Sequence, residues 1–203
     1  MRKEYDFSQG TRGKHSSKRI RIVGEVSSRD GLASRSNLVG TAGEYYVCAE
    51  LCRLGYLALL TPKNNPLFDV VATNIEGTTS VSIQVKTRSV RNTQGWKLGA
   101  QANPTETPGV PFIVLVNLHE GRLPDFYVYP YSEFVSRVSE IFNEYIAKPK
   151  RTGGPRKDPG FRWFNEVDLT DADRARINNW HPIISTLEGS NNKRSTLHRS
   201  TAP

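Results

Sequence analysis

The sequence is poor in cysteine, in long apolar runs and in repeats, and each shortage removes a class of protein. Two cysteines, Cys48 and Cys52, are all that 203 residues carry. Their i,i+4 spacing puts them on one side of a helix. They make no disulfide framework, and two thiols cannot close a structural zinc site alone. Both are expected to be small core residues in a reducing compartment. No stretch approaches the ~18 consecutive apolar residues of a membrane span. The basic N-terminal stretch lacks the apolar segment of a signal peptide, so a cytoplasmic protein without membrane contact is expected. There is no Gly-rich phosphate loop, Ser-His-Asp pattern, Cys-x-x-Cys or heptad repeat, and His15, His119, His181 and His198 are scattered without metal-ligand spacing. Apolar residues are 36% of the chain, below the usual share for a globular domain. Part of the chain is therefore expected to lie outside the core.

Charge locates that part. Residues 1–36 hold nine Lys/Arg and four Asp/Glu, and residues 189–203 hold three Lys/Arg and no acid. These two ends account for the whole net charge of +8, because residues 37–188 carry sixteen of each sign. The expected organisation is a basic, partly disordered N-terminal arm over 1–36, a neutral domain over 37–188 and a basic tail over 189–203. Basic tails on a neutral domain suit a polyanion, since each Lys/Arg that meets a phosphate releases condensed counterions; the other reading is that they serve solubility.

Within the domain, Thr41 and Glu44 have the spacing of a capping box, which predicts a helix from Thr41 to Leu54 with Gly55 as its stop. Val47, Leu51 and Leu54 share one face of it. Strands are predicted over residues 56–61, 67–73, 80–87, 111–117 and 125–129. In 80–87, Val81, Ile83 and Val85 alternate with Ser82, Gln84 and Lys86. The run 111–117 is continuously apolar, as in a strand buried on both faces. A helix is predicted over 132–147, a basic Pro/Gly-rich loop over 148–160, and a last helix from Thr170 through Asn179.

The informative feature is the hairpin of 67–73 and 80–87. A two-residue turn at Glu76-Gly77 sets Asp69 directly opposite Gln84; a four-residue turn at 74–77 sets it opposite Ser82 with Gln84 on the diagonal. Either register keeps Asp69, Gln84 and Lys86 on one face. Asp69 interrupts the apolar run Leu67-Phe68-Asp69-Val70-Val71-Ala72, a costly place for a carboxylate without a partner or a metal. A solvated strand face is the bland alternative for all three.

A helical Glu44, a strand, Phe68-Asp69-Val70 and then Ile83-Gln84-Val85-Lys86 resemble, in order and spacing, the PD-(D/E)XK nuclease superfamily, and within it the resolvase-like branch with a helical glutamate. The resemblance covers roughly residues 37–131. It implies an α/β fold with a central mixed sheet of about five strands flanked by helices, a restriction-endonuclease-like core. It implies a Mg²⁺- or Mn²⁺-dependent endonuclease acting on nucleic acid, in the first place DNA. Asp69, Gln84, the Val85 backbone carbonyl and Glu44 would be the metal ligands, and Lys86 would orient or polarise the attacking water. Enzymes of this kind often pair as homodimers. Gln84 departs from the usual glutamate and removes a negative charge, and Glu44 has the competing duty of the capping box.

Lys86, Arg88, Arg91 and Lys97 put four positive charges and no acid into residues 86–97. Arg88, Arg91 and Lys97 are therefore candidate phosphate contacts, with Trp96 either stacking on a base or packing in the core. The alternative function is a catalytically inactive nucleic-acid-binding module of the same fold, in a defence or toxin–antitoxin system. Gln84 motivates it, together with residues 3–8, which resemble the start of some small bacterial antitoxins.

Overall fold

The computed structural model describes residues 28–62, 65, 67–99 and 111–189, and side chains from residue 36 onward. The residue 3–8 segment, most of the expected N-terminal arm and the tail beyond 189 lie outside the described residues. The chain divides into two units, 1–34 and 35–203; the sheet and the site belong to the second.

The first helix, α1 (Ser28–Arg53), begins thirteen residues before the expected capping box. Thr41 and Glu44 are therefore interior, and the capping-box expectation is corrected. Nucleation is the costly step of helix formation and each further residue adds a bond. No proline stands before Pro62 to stop the helix from running back through Gly40 and Asn37. The predicted stop is where it was expected. Gly55 takes φ 95°, its N–H reaches Cys52 O, and the Tyr56 N–H reaches Leu51 O, both at 3.0 Å. This is the paired bonding of a Schellman ending, which needs a residue that tolerates positive φ.

Five strands form the main sheet: β1 (Leu57–Leu60), β2 (Val70–Thr73), β3 (Ser80–Arg88), β5 (Phe112–Asn117) and β6 (Asp125–Pro130), in spatial order β1-β2-β3-β5-β6. Neighbours are antiparallel except β3 and β5, which are parallel. The sheet is thus mixed, as expected. The parallel step needs a crossover; its segment carries β4 (Gly95–Gly99), which pairs with β7 (Phe161–Asn165) as a separate two-stranded antiparallel sheet. Neither strand stands out as an alternating apolar run, and neither is predicted from the sequence.

Two cores lie on opposite faces. On one, Val47 and Leu51 of α1 join Val70, Ile83, Val85 and Val114. On the other, α2 (Tyr131–Ala147) sets Phe134 and Val138 against Ile113, Leu115, Tyr129 and the β4–β7 residues Trp96, Leu98 and Phe164. Every residue of β5 is buried, as its unbroken apolar run predicts.

Near the C-terminus the Thr170–Asp173 capping box is present, but its helix, α3 (Asp171–Arg174), is a single turn. Asn178 takes φ 56°, and the chain bonds the free edge of β6 instead: the Asn178 N–H donates to Phe126 O at 2.7 Å. A further helix, α4 (His181–Glu188), then buries Ile183 and Leu187 in the first core. The cysteine expectation fails in part, since Cys48 is half-buried and Cys52 exposed, both as free thiols. No described helix is long and apolar enough to cross a membrane.

Candidate functional site

The hairpin adopts the register expected from a turn centred on Glu76-Gly77, with Val70 paired to Ile83 and Thr73 to Ser80. Regular pairing ends at Val70–Ile83, short of the expected pair of Asp69 with Gln84. The turn itself differs from the two-residue expectation. Asn74 N–H donates to Thr79 O, and Gly77 N–H to Asn74 O, leaving residues 75–78 as a four-residue loop with Gly77 at φ 67°. The Asn74 side chain closes it, accepting from the Thr78 and Thr79 N–H groups at 2.9 and 3.0 Å. A four-residue loop with the same centre keeps the same register, so the facing pairs survive the change of turn.

At Asp69 the ladder bends. Its N–H donates to Ile83 O at 3.0 Å, and its carboxylate Oδ2 accepts from the Val85 N–H at 2.7 Å. From the other side, Thr61 donates to its backbone: the N–H reaches Asp69 O at 3.0 Å, and the hydroxyl reaches Phe68 O and Asp69 O at 2.9 and 3.2 Å. The backbone at Asp69 is therefore held from both sides, and its carboxylate from β3. In an extended strand the carbonyl of a residue leaves on the same side as its N–H, so the Val85 carbonyl faces this edge too.

Glu44 arrives on α1. A Cβ on the preceding Gly43 would stand 1.9 Å from Thr87 Oγ1, so only glycine lets the helix descend this far onto β3. That approach places Glu44 in a cleft of about 280 Å³ whose walls include Asn37, Thr41, Thr61, Asn65 and Asp69. Asn37, Thr41 and Glu44 recur at i, i+4 and i+7, one face of a helix. That spacing is visible in the sequence, but only once the helix is known to begin before Thr41.

Gln84 and Lys86 are half-buried and alternate with the buried Ile83 and Val85. They lie on the face away from α1, beside Ile113 and Leu115 of the second core, and neither lines the cleft that Glu44 and Asp69 share. The structure thus brings Glu44 and Asp69 together and leaves Gln84 and Lys86 outside that cleft, so the expected single face for Asp69, Gln84 and Lys86 is corrected: the ladder bends at Asp69 and carries it towards α1.

The donor set suits a hard cation. Asp69 and Glu44 offer carboxylates in the cleft and Val85 a carbonyl beside it, while the Gln84 amide lies outside it; Mg²⁺ favours such oxygens and retains several waters, so few protein ligands suffice. Among the described residues no group of three or more His, Cys, Asp or Glu side chains is placed to hold a metal. The nearby Cys48 thiol is pushed up to about 11 by burial, then by Cys52 and Glu44, so it stays protonated and is a poor thiolate ligand.

Two expected phosphate or base contacts are corrected. Trp96 is 1% exposed; its Nε1 donates to Val116 O at 3.0 Å, and its ring meets Tyr127 edge-on at 5.4 Å. It has no face for a base. Arg88 is 7% exposed, donates to Asn117 Oδ1 at 2.5 Å and Glu166 Oε2 at 2.7 Å, and lies over the Trp96 ring. A cation so committed pins β3 to the segment after β7. Arg91 and Lys97 are exposed.

No protein-family model and no curated protein matches the chain. Among solved structures it is similar to a bacterial homing endonuclease, I-Ssp6803I, at 16% identity and a TM-score of 0.42, over 79% of this chain and 98% of that one. It is also similar to Hjc, a Holliday junction resolvase from the archaeal hyperthermophile Archaeoglobus fulgidus, at 19% identity and a TM-score of 0.37, over 67% of this chain and 94% of that one.

Proposed function

We propose that the chain is a Mg²⁺- or Mn²⁺-dependent endonuclease of the PD-(D/E)XK type that hydrolyses phosphodiester bonds in DNA. The observation that carries this is the fixing of Asp69. Its carboxylate is clamped by the Val85 N–H at 2.7 Å, at the bend just past the Val70–Ile83 pair, and it shares a cleft with Glu44.

A bound divalent ion in such a site supplies an acidified water and offsets charge on the phosphoryl oxygens. The protein groups have separate duties. Asp69 and the Val85 carbonyl present oxygens whose positions the strand bend has already set, so little ordering remains at binding. Glu44 extends that oxygen set from α1. Lys86 brings an ammonium to the scissile phosphate, where it offsets developing negative charge. Gln84 contributes an amide oxygen without charge, which lowers affinity for the ion relative to a carboxylate.

The test is cleavage of supercoiled plasmid and branched DNA in Mg²⁺ and in Mn²⁺, with Asp69→Asn and Lys86→Ala purified alongside. Loss of nicking in both variants supports the reading, and equal nicking by all three proteins overthrows it. The neutral Gln84 favours a second reading, a module that binds nucleic acid without cutting. It is distinguished by affinity that survives EDTA and Asp69→Asn, with no cleavage in either metal.

A further inference from the structure

The β4–β7 sheet has an outer face to which the hydrolysis chemistry gives no role. Antiparallel partners share a face, so the buried pair Trp96 and Phe164 marks the inner side. Lys97, paired with Trp163, and Gly99, paired with Phe161, mark the outer one. Phe161 and Trp163 are half-buried there, two residues apart on one strand, the spacing that sets side chains in a row on a sheet. Gly99 places no side chain beside Phe161, and nothing stands within 4 Å of where its Cβ would be. Lys97 Nζ lies 4.5 Å from the Phe161 ring centroid. Where this sheet meets the end of α2, a cavity of about 340 Å³ opens, walled by Phe142, Tyr145, Phe161, Trp163, Gln94 and Asn165 among others. That is at the small end of ligand pockets, roughly 300–1,000 Å³.

The adjoining loop, residues 148–160, holds five Lys/Arg and one acid. That acid, Asp158, is occupied by Arg162 in two hydrogen bonds of 2.8 and 2.9 Å. Lys148, Lys150, Arg151 and Lys157 are exposed. The loop is shaped by its own bonds: Gly153 N–H to Lys150 O at 2.9 Å, Lys150 N–H to Gly154 O at 3.0 Å, and Arg156 Nε to Lys148 O at 2.9 Å. Arg156 also stacks over Tyr145 at 4.3 Å, which holds the cations beside the aromatic cavity. A domain neutral as a whole thus concentrates positive charge next to half-exposed rings.

We infer that this surface binds an unpaired stretch of nucleic acid, with a base in the aromatic cavity and its flanking phosphates along residues 148–160. The inference rests on the chain acting on nucleic acid and deepens that reading by naming the substrate class, DNA with unpaired nucleotides. Cations alone would serve a duplex; rings beside them serve a base only when it is unstacked. The position agrees: Trp96 and Phe164, on the inner side, pack with Ile113 and Leu115, the β5 neighbours of Gln84 and Lys86. The platform and Lys86 therefore belong to the same side of the main sheet.

The test is fluorescence anisotropy in EDTA with two labelled DNAs, a plain duplex and the same duplex ending in a short unpaired thymidine flap. Wild-type protein is expected to bind the flapped DNA more tightly. Tyr145→Ser, at a position 43% exposed, is expected to weaken flap binding about tenfold, the scale of one lost base–aromatic stack, and to leave the duplex unchanged. Lys150→Gln with Arg151→Gln is expected to lower the salt slope on the flap by roughly 0.7 per lost phosphate contact. Equal wild-type affinity for both DNAs overturns the inference, and so does a Tyr145→Ser protein that keeps the full flap preference. Because EDTA stops hydrolysis, the two readings fail separately: no flap preference alongside intact cleavage sinks the platform alone, and flap preference without cleavage in Mg²⁺ or Mn²⁺ sinks the nuclease alone.

Discussion

Asp69 and Val85 are joined carboxylate to backbone N–H at 2.7 Å, one residue past the last regular pair of β2 with β3. The bond uses the polar group that the departing strand would otherwise leave without a partner, and it aims a carboxylate along the edge that the Val85 carbonyl also faces. A structural duty and the proposed ligand role therefore fall on one side chain, and substitution can separate them.

Asp69→Asn keeps an oxygen that can accept from Val85 and removes the charge. It is expected to leave the unfolding midpoint near wild type and to cut metal-dependent cleavage by at least about 10²-fold, beyond the 10–100-fold common for groups one layer from a metal. Asp69→Ala also strands the Val85 N–H, at a cost of about 1–3 kcal/mol. Urea unfolding of both variants, beside plasmid nicking, checks the pair.

Gly43→Ala tests the close approach of α1 to β3. In an exposed helix interior the change stabilises by up to about 1 kcal/mol, but here the methyl would meet Thr87 Oγ1. Overpacking of about 1–3 kcal/mol is expected instead. Thr87 Oγ1 is buried with no hydrogen-bond partner, so Thr87→Ala costs little by itself and restores part of the loss in the double variant. A double-mutant cycle in urea reads the coupling; additive effects would mean that the helix does not touch the strand there.

Trp96→Ala is expected to destabilise by about 3–5 kcal/mol, as for a large core aromatic. Arg88→Gln is expected to cost about 1–3 kcal/mol by weakening its bonds to Asn117 and Glu166, and to leave the salt dependence of DNA binding as in wild type. Arg91→Gln and Lys97→Gln, at exposed positions, are expected to lower the salt slope and leave stability alone. Unfolding curves and salt titrations of the four variants separate core from surface.

Acid sensitivity is expected at Asp173. Burial works to raise its pKa, but hydrogen bonds from the Thr170 N–H and hydroxyl and from the Tyr129 hydroxyl, with the Arg137 charge, outweigh it and hold the carboxyl below its ordinary value. A folded pKa below the unfolded one gives stability that is complete above the ordinary carboxylate range and is lost as pH falls through the folded value. Asp173→Asn is therefore expected to be less stable than wild type at neutral pH and to converge with it in acid. A gap that stays constant from neutral to acidic pH would contradict the assignment.

Part of the hairpin was legible in the residues because its information is local. The alternation from Val81 to Lys86 states which of its side chains share a face, and a turn centred on Glu76-Gly77 states the register of Val70 on Ile83 and Thr73 on Ser80. The expected face shared by Asp69, Gln84 and Lys86 did not follow, because the ladder bends at Asp69 and carries it into the cleft with Glu44. The continuous apolar run of β5 and the glycine that ends α1 are local in the same sense. Trp96 and Arg88 were misplaced because a basic, turn-rich segment is the same sequence whether solvent or a second layer covers it. The start of α1 was missed because a capping box is compatible with a helix start and equally with a helix interior. The strands β4 and β7 pair across more than sixty residues, and neither has an apolar face strong enough to announce itself.

By itself, then, the sequence determined the order of elements around the hairpin, the face shared by Gln84 and Lys86, and the neutrality of residues 37–188 between basic ends, since period, turn chemistry and charge are properties of neighbours along the chain. Only the tertiary structure decided that Glu44 and Asp69 share a cleft, that Arg88 and Trp96 are buried, and that Phe161 and Trp163 stand beside a cationic loop. Those facts depend on which distant backbones pack together, and packing is settled by the summed burial of two whole layers rather than by any single stretch of residues.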